Sequence, residues 1–310
     1  MQLRFLVVLL LFPVFLIAQT PAENIKRAKE MMDKNNFKGA KKFLSSCIEK
    51  EINNPEYFYL RAECNYQLGD GQGSLGDLNW AIKLAPDSVK YWHNRATVYY
   101  ALMEFAKSEK DYLKALALTR GRVDSATIMA EYAPILVFLG DTARALKMYV
   151  EALALDSLNF AVLVNYGNLL NDIDRSPEAI MLLTKALAQD TNHVMVNSNI
   201  GFTYSEMGEY QKAIPYFDRC IRLDPNSAFP YSNRAYCKLK TGDTKGALRD
   251  VQKSIKLFPE NSYAHRNLGL IYLEMGEKEK ACAAFEEALR YGFRKLYGPE
   301  VNEMKKKNCG

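Results

Sequence analysis

Residues 194–227 read "VMVNSNIGFTYSEMGEYQKAIPYFDRCIRLDPNS", and the spacing of small and large residues in this stretch decides the fold. Gly201, Ala213 and Cys220 stand at its positions 8, 20 and 27, Phe217 at position 24, Gly208 at 15 and Pro225 at 32. Stepping by 34 residues in either direction returns the same types. Taken over units 21–54, 55–88, 89–122, 126–159, 160–193, 194–227, 228–261 and 262–295, position 8 reads Ala28, Ala62, Ala96, Ala133, Gly167, Gly201, Ala235 and Gly269. Position 20 holds only Ala and Ser, position 27 only Ala, Cys and Ser, and position 24 is large in every unit, from Leu44 to Phe285. Small residues let two helices approach closely and the large one fills the notch between them. No unit buries that face alone, so the units stack on one another.

The period, the small–Tyr–Ala–Phe–Pro order and the glycine between two helical stretches resemble the tetratricopeptide repeat. The resemblance implies an all-α, right-handed superhelical solenoid of about eight helix-turn-helix units, acting as a non-catalytic protein-binding module. Gly69, Gly140, Gly208, Gly242 and Gly276 fall at the turn inside their units, where a left-handed residue after a helix is cheapest as glycine. Three units carry Asn35, Met103 and Asp174 there instead.

The first 18 residues, "MQLRFLVVLLLFPVFLIA", have one early Arg, a short apolar run and a small residue before Gln19, the form of a secretory signal peptide. Residues 1–18 are therefore expected to be a signal, and the Ala–Gln junction resembles exported proteins of the Bacteroidetes type. The expected location is the periplasm or the outside of the cell, with no membrane span in the mature chain. The three residues Val123-Asp124-Ser125 interrupt the 34-residue register, and Pro134 follows inside a first helix. This divides the repeats into an N-terminal lobe, 19–122, and a C-terminal lobe, 126–295, with 296–310 as a capping helix and tail.

Charge and motif content narrow the function. A formal net charge of +5 over 310 residues is mild, and no basic face recurs from unit to unit as a nucleic-acid reader needs. His93, His193 and His265 lie in three different units, and no zinc-type Cys pair, phosphate loop or nucleophile elbow is present. No catalytic residue, metal, cofactor or small-molecule substrate is expected. The expected partner is a protein or peptide.

In the family that the repeats resemble, positions 2, 5, 6, 9, 12 and 13 of the first helices line the concave face. Position 6 gives Asn94 and then four consecutive asparagines, Asn165, Asn199, Asn233 and Asn267. An amide side chain offers donors and an acceptor, so such a row can hold the backbone of an extended peptide. Phe202, Phe229, Tyr236 and Tyr263 stand beside it at positions 2 and 9. The alternative is that the asparagines are solvated copies of one ancestral residue and the aromatic rings pack between helices. A second function class also stays open, a structural scaffold in an envelope assembly that docks folded partners through its ends or convex face. Only Lys90 and Arg266 could serve a carboxylate clamp, and they lie in distant units.

The cysteines are expected to pair as Cys47–Cys64, Cys220–Cys237 and Cys282–Cys309. The first two pairs share a 17-residue spacing across helices that pack side by side in the resembled family, and the third would pin the terminal cap.

Overall fold

The computed structural model describes residues 20–309, and among these every regular element is an α-helix. In the N-terminal part these are α1 (Pro21–Asp33), α2 (Phe37–Lys50), α3 (Pro55–Gln67), α4 (Gly71–Leu84), α5 (Val89–Ala101) and α6 (Phe105–Leu118). Next come α7 (Arg122–Phe138), α8 (Thr142–Leu155), α9 (Phe160–Asp172), α10 (Ser176–Gln189), α11 (Val194–Glu206) and α12 (Tyr210–Leu223). The chain continues with α13 (Ala228–Lys240), α14 (Thr244–Leu257), α15 (Ser262–Glu274), α16 (Lys278–Arg290), α17 (Phe293–Tyr297) and α18 (Glu300–Cys309). The expected signal segment lies outside the described residues. No described helix is long and apolar enough to cross a membrane.

Contacts divide the chain into two compact units that meet at Thr119 and Arg120. The residues that break the register, 123–125, do not form a linker. They sit in the first turn of α7, which is lengthened to 17 residues and runs on through Pro134.

The two helices of each hairpin pack on one another, and where position 8 is glycine it lies directly against position 24, Gly167 on Leu183, Gly201 on Phe217 and Gly269 on Phe285. Ala28, Leu44, Ala96, Tyr112, Leu183, Phe217 and Phe285 are all essentially inaccessible to solvent. Glycine at position 8 goes with the tightest approach: a Cβ on Gly269 would stand 2.4 Å from the Phe285 ring, and one on Gly201 2.9 Å from Phe217. The inner turns take the left-handed conformation in every hairpin from α1/α2 to α15/α16. Gly69, Gly140, Gly208, Gly242 and Gly276 do so, and Asn35 (φ 56°), Met103 (φ 60°) and Asp174 (φ 62°) adopt it without the advantage of glycine.

A second, polar lock recurs at positions 7, 23 and 25. Arg95 forks onto Asp111 at 2.6 and 2.8 Å and donates a third bond to Asn79 at 2.7 Å. Arg61 does the same with Asp77 and Ser45, and Arg234 with Asp250 and Asp218. Each guanidinium therefore joins the two helices of its own hairpin to the second helix of the preceding one. Bidentate pairing of this kind satisfies the carboxylate lone pairs that burial takes from water.

Candidate functional site

Within the N-terminal unit, the first helices of the hairpins, α1, α3 and α5, enclose a cleft of about 380 Å³. Its walls come from Met32 and Asp33 at the end of α1, Tyr59, Glu63, Tyr66 and Gln67 on α3, and Asn94 and Thr97 on α5. These are positions 5, 6, 9, 12 and 13 of their units, the set that faces a ligand in the resembled family. Phe37 and Leu78 from the second helices form part of the floor. A concave, partly apolar recess with a few convergent polar groups is the usual form of a ligand site.

The electrostatics are uneven along α3. Glu56, near its start, binds the Lys29 ammonium at 3.7 Å, hydrogen-bonds the Lys90 ammonium and accepts from the Tyr91 hydroxyl at 3.2 Å. The Lys90 ammonium also lies over the Tyr59 and Tyr91 rings, 4.7 and 5.1 Å from their centroids. Two turns on, Glu63 has no ion pair among the described residues. Burial pushes its carboxyl above its ordinary pKa, opposed by the neighbouring Tyr59 hydroxyl and more weakly by Lys29 and Lys90. Tyr59 is itself raised, first by burial and then by Glu63.

The expected asparagine row is broken up by the structure. Asn267 is 0% exposed, so it cannot meet a ligand; its amide donates to the Ser232 carbonyl at 3.0 Å and its Oδ1 accepts from Arg266 at 2.9 Å. Asn165 is half-buried and donates to the Ala130 carbonyl at 3.1 Å, and Asn199 donates to Asn168 Oδ1 at 2.7 Å. Asn94 binds its own helix at Lys90 O (2.8 Å), within the N-terminal cleft. Asn233 is half-buried. An amide buried beside another helix must find a partner there, which is why position 6 joins first helices to one another in the C-terminal unit.

The aromatic residues also separate. Tyr236 and Tyr263 come together around Arg266, whose guanidinium carbon is 4.9 and 5.4 Å from their ring centroids and which is hydrogen-bonded to Glu300 of α18. Phe202 is exposed. Phe229, 57% exposed, lies in a different recess of about 600 Å³ with Phe258, Tyr291, Leu296 and Tyr297. Both candidate clamp cations are thus neutralised inside the chain, Lys90 by Glu56 and Arg266 by Glu300. The histidines have local partners: His193 accepts from Val196 N, His265 meets the Pro259 carbonyl at 2.8 Å, and His93 packs on Tyr112.

Cys282 and Cys309 stand as a bonded pair with Cα atoms 5.7 Å apart, linking α16 to α18. Cys47, Cys64, Cys220 and Cys237 are buried free thiols, contrary to the two other expected pairings. The reason is the antiparallel course of neighbouring helices. Cys220 Sγ points at the Val194 carbonyl (3.4 Å) and Cys237 Sγ at the Ser205 hydroxyl (3.6 Å). Those two partners lie at opposite ends of α11, about 16 Å apart at 1.5 Å per residue. Cys47 and Cys64 hold the same positions in their units and serve as small packing residues in the first core.

The N-terminal cleft was within reach of the repeat pattern, because every residue named on α1, α3 and α5 occupies a ligand-facing position. The recurrence of Asn at position 6 marks repetition and not exposure.

Comparison with known proteins agrees with this geometry. Models described as tetratricopeptide repeat match residues 22–193, 196–227 and 233–293. The human protein tetratricopeptide repeat protein 13 is 34% identical over 79 residues, which is 26% of this chain and only 9% of that protein's length. A tetratricopeptide repeat protein from Parabacteroides merdae shares the fold at a TM-score of 0.62 and 20% identity, over 81% of this chain and 98% of its own. The Cut9-Hcn1 hetero-tetramer of APC/C contributes a chain similar over 94% of this one and 56% of its own, at a TM-score of 0.67 and 13% identity. PilF of Pseudomonas aeruginosa is similar over 71% and 97%, at 0.58 and 22%. With matching models over more than half its length and the helix hairpins just described, the chain belongs to the tetratricopeptide repeat family.

Proposed function

We propose that this chain is a non-catalytic interaction module that holds an extended segment of a partner protein along its first helices, with the N-terminal cleft as the principal contact. The cleft between α1, α3 and α5 carries the proposal, because it combines apolar and aromatic walls with the exposed amide of Gln67 and the carboxylate of Glu63. The C-terminal unit is less suited than its sequence promised: Asn267 and Arg266 are buried and the amides of Asn165 and Asn199 are engaged by the chain itself. Export belongs to the same reading, supported by the form of residues 1–18 and by the Cys282–Cys309 geometry, which an oxidising compartment would keep bonded. N-terminal sequencing of the protein from its native host should begin at Gln19.

A photo-reactive benzoylphenylalanine at Gln67, in the cleft, should cross-link a partner segment, while the same residue at Lys110, exposed on α6, should not. Equal cross-linking from both would favour the scaffold reading. That second reading has one observation behind it, the exposed apolar group Phe229, Phe258, Leu296 and Tyr297 beside the C-terminal cap. A folded partner docked there would be lost with Phe229→Glu and indifferent to changes in the cleft.

A further inference from the structure

We infer that the N-terminal cleft selects a basic side chain, lysine or arginine, of the peptide it holds, with Glu63 as the counter-charge and Tyr59 and Tyr66 as the aromatic surface around it. The inference rests on the peptide-binding reading above and adds the chemistry of the bound residue. Within this chain, a carboxylate set beside tyrosines on the first helices has a cation of its own in two places. Glu56 holds Lys90 against Tyr59 and Tyr91. Glu300 holds Arg266 between Tyr236 and Tyr263. Glu63, with Tyr66 and with the Tyr59 it shares with the first set, is a third such carboxylate, and among the described residues no Lys or Arg forms an ion pair with it, the Lys90 ammonium on the Tyr59 ring being held by Glu56.

The charge of the recess is one-sided. Asp33 and Glu63 contribute two carboxylates, and among the described residues no Lys, Arg or His lines it. The two ammonium groups that act on Glu63 from a distance, Lys29 and Lys90, are both held by Glu56. A half-buried carboxylate without an ion pair gains more from an incoming cation than an exposed one, because less water screens the pair. Tyrosine faces add attraction for either an ammonium or a guanidinium. Met32 and Phe37 offer apolar surface for the methylene stem of such a side chain, which lies along apolar groups while its head stays polar. An acidic peptide would meet repulsion from both carboxylates, and an aliphatic one would leave Glu63 further desolvated and unpaired.

The test uses the full chain and a synthetic array of random nonapeptides, acetylated and amidated so that only side chains carry charge. Bound sequences should be enriched in Lys or Arg, and replacing that residue by norleucine should weaken binding at least tenfold. Glu63→Gln, which keeps shape and removes charge, should cause a similar loss with the basic peptide and none beyond it with the norleucine peptide. Asn94→Trp, which fills the cleft, should abolish binding of all of them. Bound peptides without a basic residue, or a basic peptide indifferent to Glu63→Gln yet lost with Asn94→Trp, would overturn the cation preference and leave the cleft as a peptide site. If no peptide binds, or binding survives Asn94→Trp, the cleft reading and the cation preference both fall.

Discussion

Asn165 donates its side-chain amide to the carbonyl of Ala130 at 3.1 Å, and Ala130 is the residue whose helical partner Pro134 cannot supply. Inside a helix the carbonyl at i accepts from the N–H at i+4, and proline has none. The proline of α7 is therefore tolerated because an asparagine of α9 fills the vacancy. The corresponding bond from Asn267 goes to Ser232, where the residue four positions on is Tyr236, which does have an N–H.

This makes Asn165 and Pro134 a coupled pair. Asn165→Ala should destabilise the protein by about 1–3 kcal/mol through the unsatisfied carbonyl. In a Pro134→Ala background, where the helical bond is restored, the same change should cost clearly less. Urea denaturation of the four proteins measures the coupling, and strictly additive losses would show that the asparagine does not compensate for the proline.

Met103 occupies a left-handed turn at φ 60° and is 74% exposed, so it has the strain of that conformation and little packing to offset it. Met103→Gly should raise stability by up to about 1 kcal/mol, the left-handed penalty less the extra freedom glycine gives the unfolded chain. A lowered denaturation midpoint would contradict this. Asp174→Gly at the equivalent turn should behave alike.

Two helical glycines should respond oppositely to alanine. Gly269→Ala brings a methyl within 2.4 Å of the buried Phe285 ring and should cost about 1–3 kcal/mol. Gly76→Ala, in the interior of α4 with nothing within 4 Å, should stabilise by about 0.5–1 kcal/mol. Thermal or urea unfolding of both variants checks the pair, and a shift of the same sign in each would undo the packing argument.

The periodic features were the most readable. Small and large positions, the inner turns and even their three non-glycine exceptions followed from the 34-residue spacing, because steric demands repeat with the backbone. The Arg–Asp locks were equally periodic and went unread. Position 7 is Arg where position 23 is Asp, in Arg61/Asp77, Arg95/Asp111 and Arg234/Asp250, and both are uncharged in Tyr132/Met148, Tyr166/Leu182, Ile200/Tyr216 and Leu268/Ala284. In the first unit Arg27 meets Phe43 and lies over its ring at 4.8 Å. Side-chain direction was harder to infer. An asparagine that faces a groove and one that ties two helices together have the same spacing, and only the local packing separates Asn94 from Asn267. For Cys220 and Cys237, sequence distance concealed that antiparallel neighbours put equivalent halves of two helices at opposite ends.

The thiols can be counted directly. Burial pushes Cys64, Cys220 and Cys237 up to about 11 and raises Cys47 as well. The native protein at pH 8 should therefore show almost no reaction with a disulfide reagent such as Ellman's, four thiols after unfolding, and six after unfolding with reduction. Because the unfolded state loses these protons first, stability should also fall as the pH rises from about 9 toward 11. Six thiols without reduction would remove the bond between α16 and α18, and none would restore the pairings that the helix directions argue against.

The most direct measurement of the central claim is the affinity of the partner segment recovered by cross-linking at Gln67, synthesised as a free peptide and titrated calorimetrically into the full chain. This isolated peptide should bind, Asn94→Trp in the cleft should weaken it at least tenfold, and Lys110→Glu on α6 should leave it unchanged. A peptide that does not bind without its folded parent, or that binds Asn94→Trp as well as the wild type, would contradict the claim.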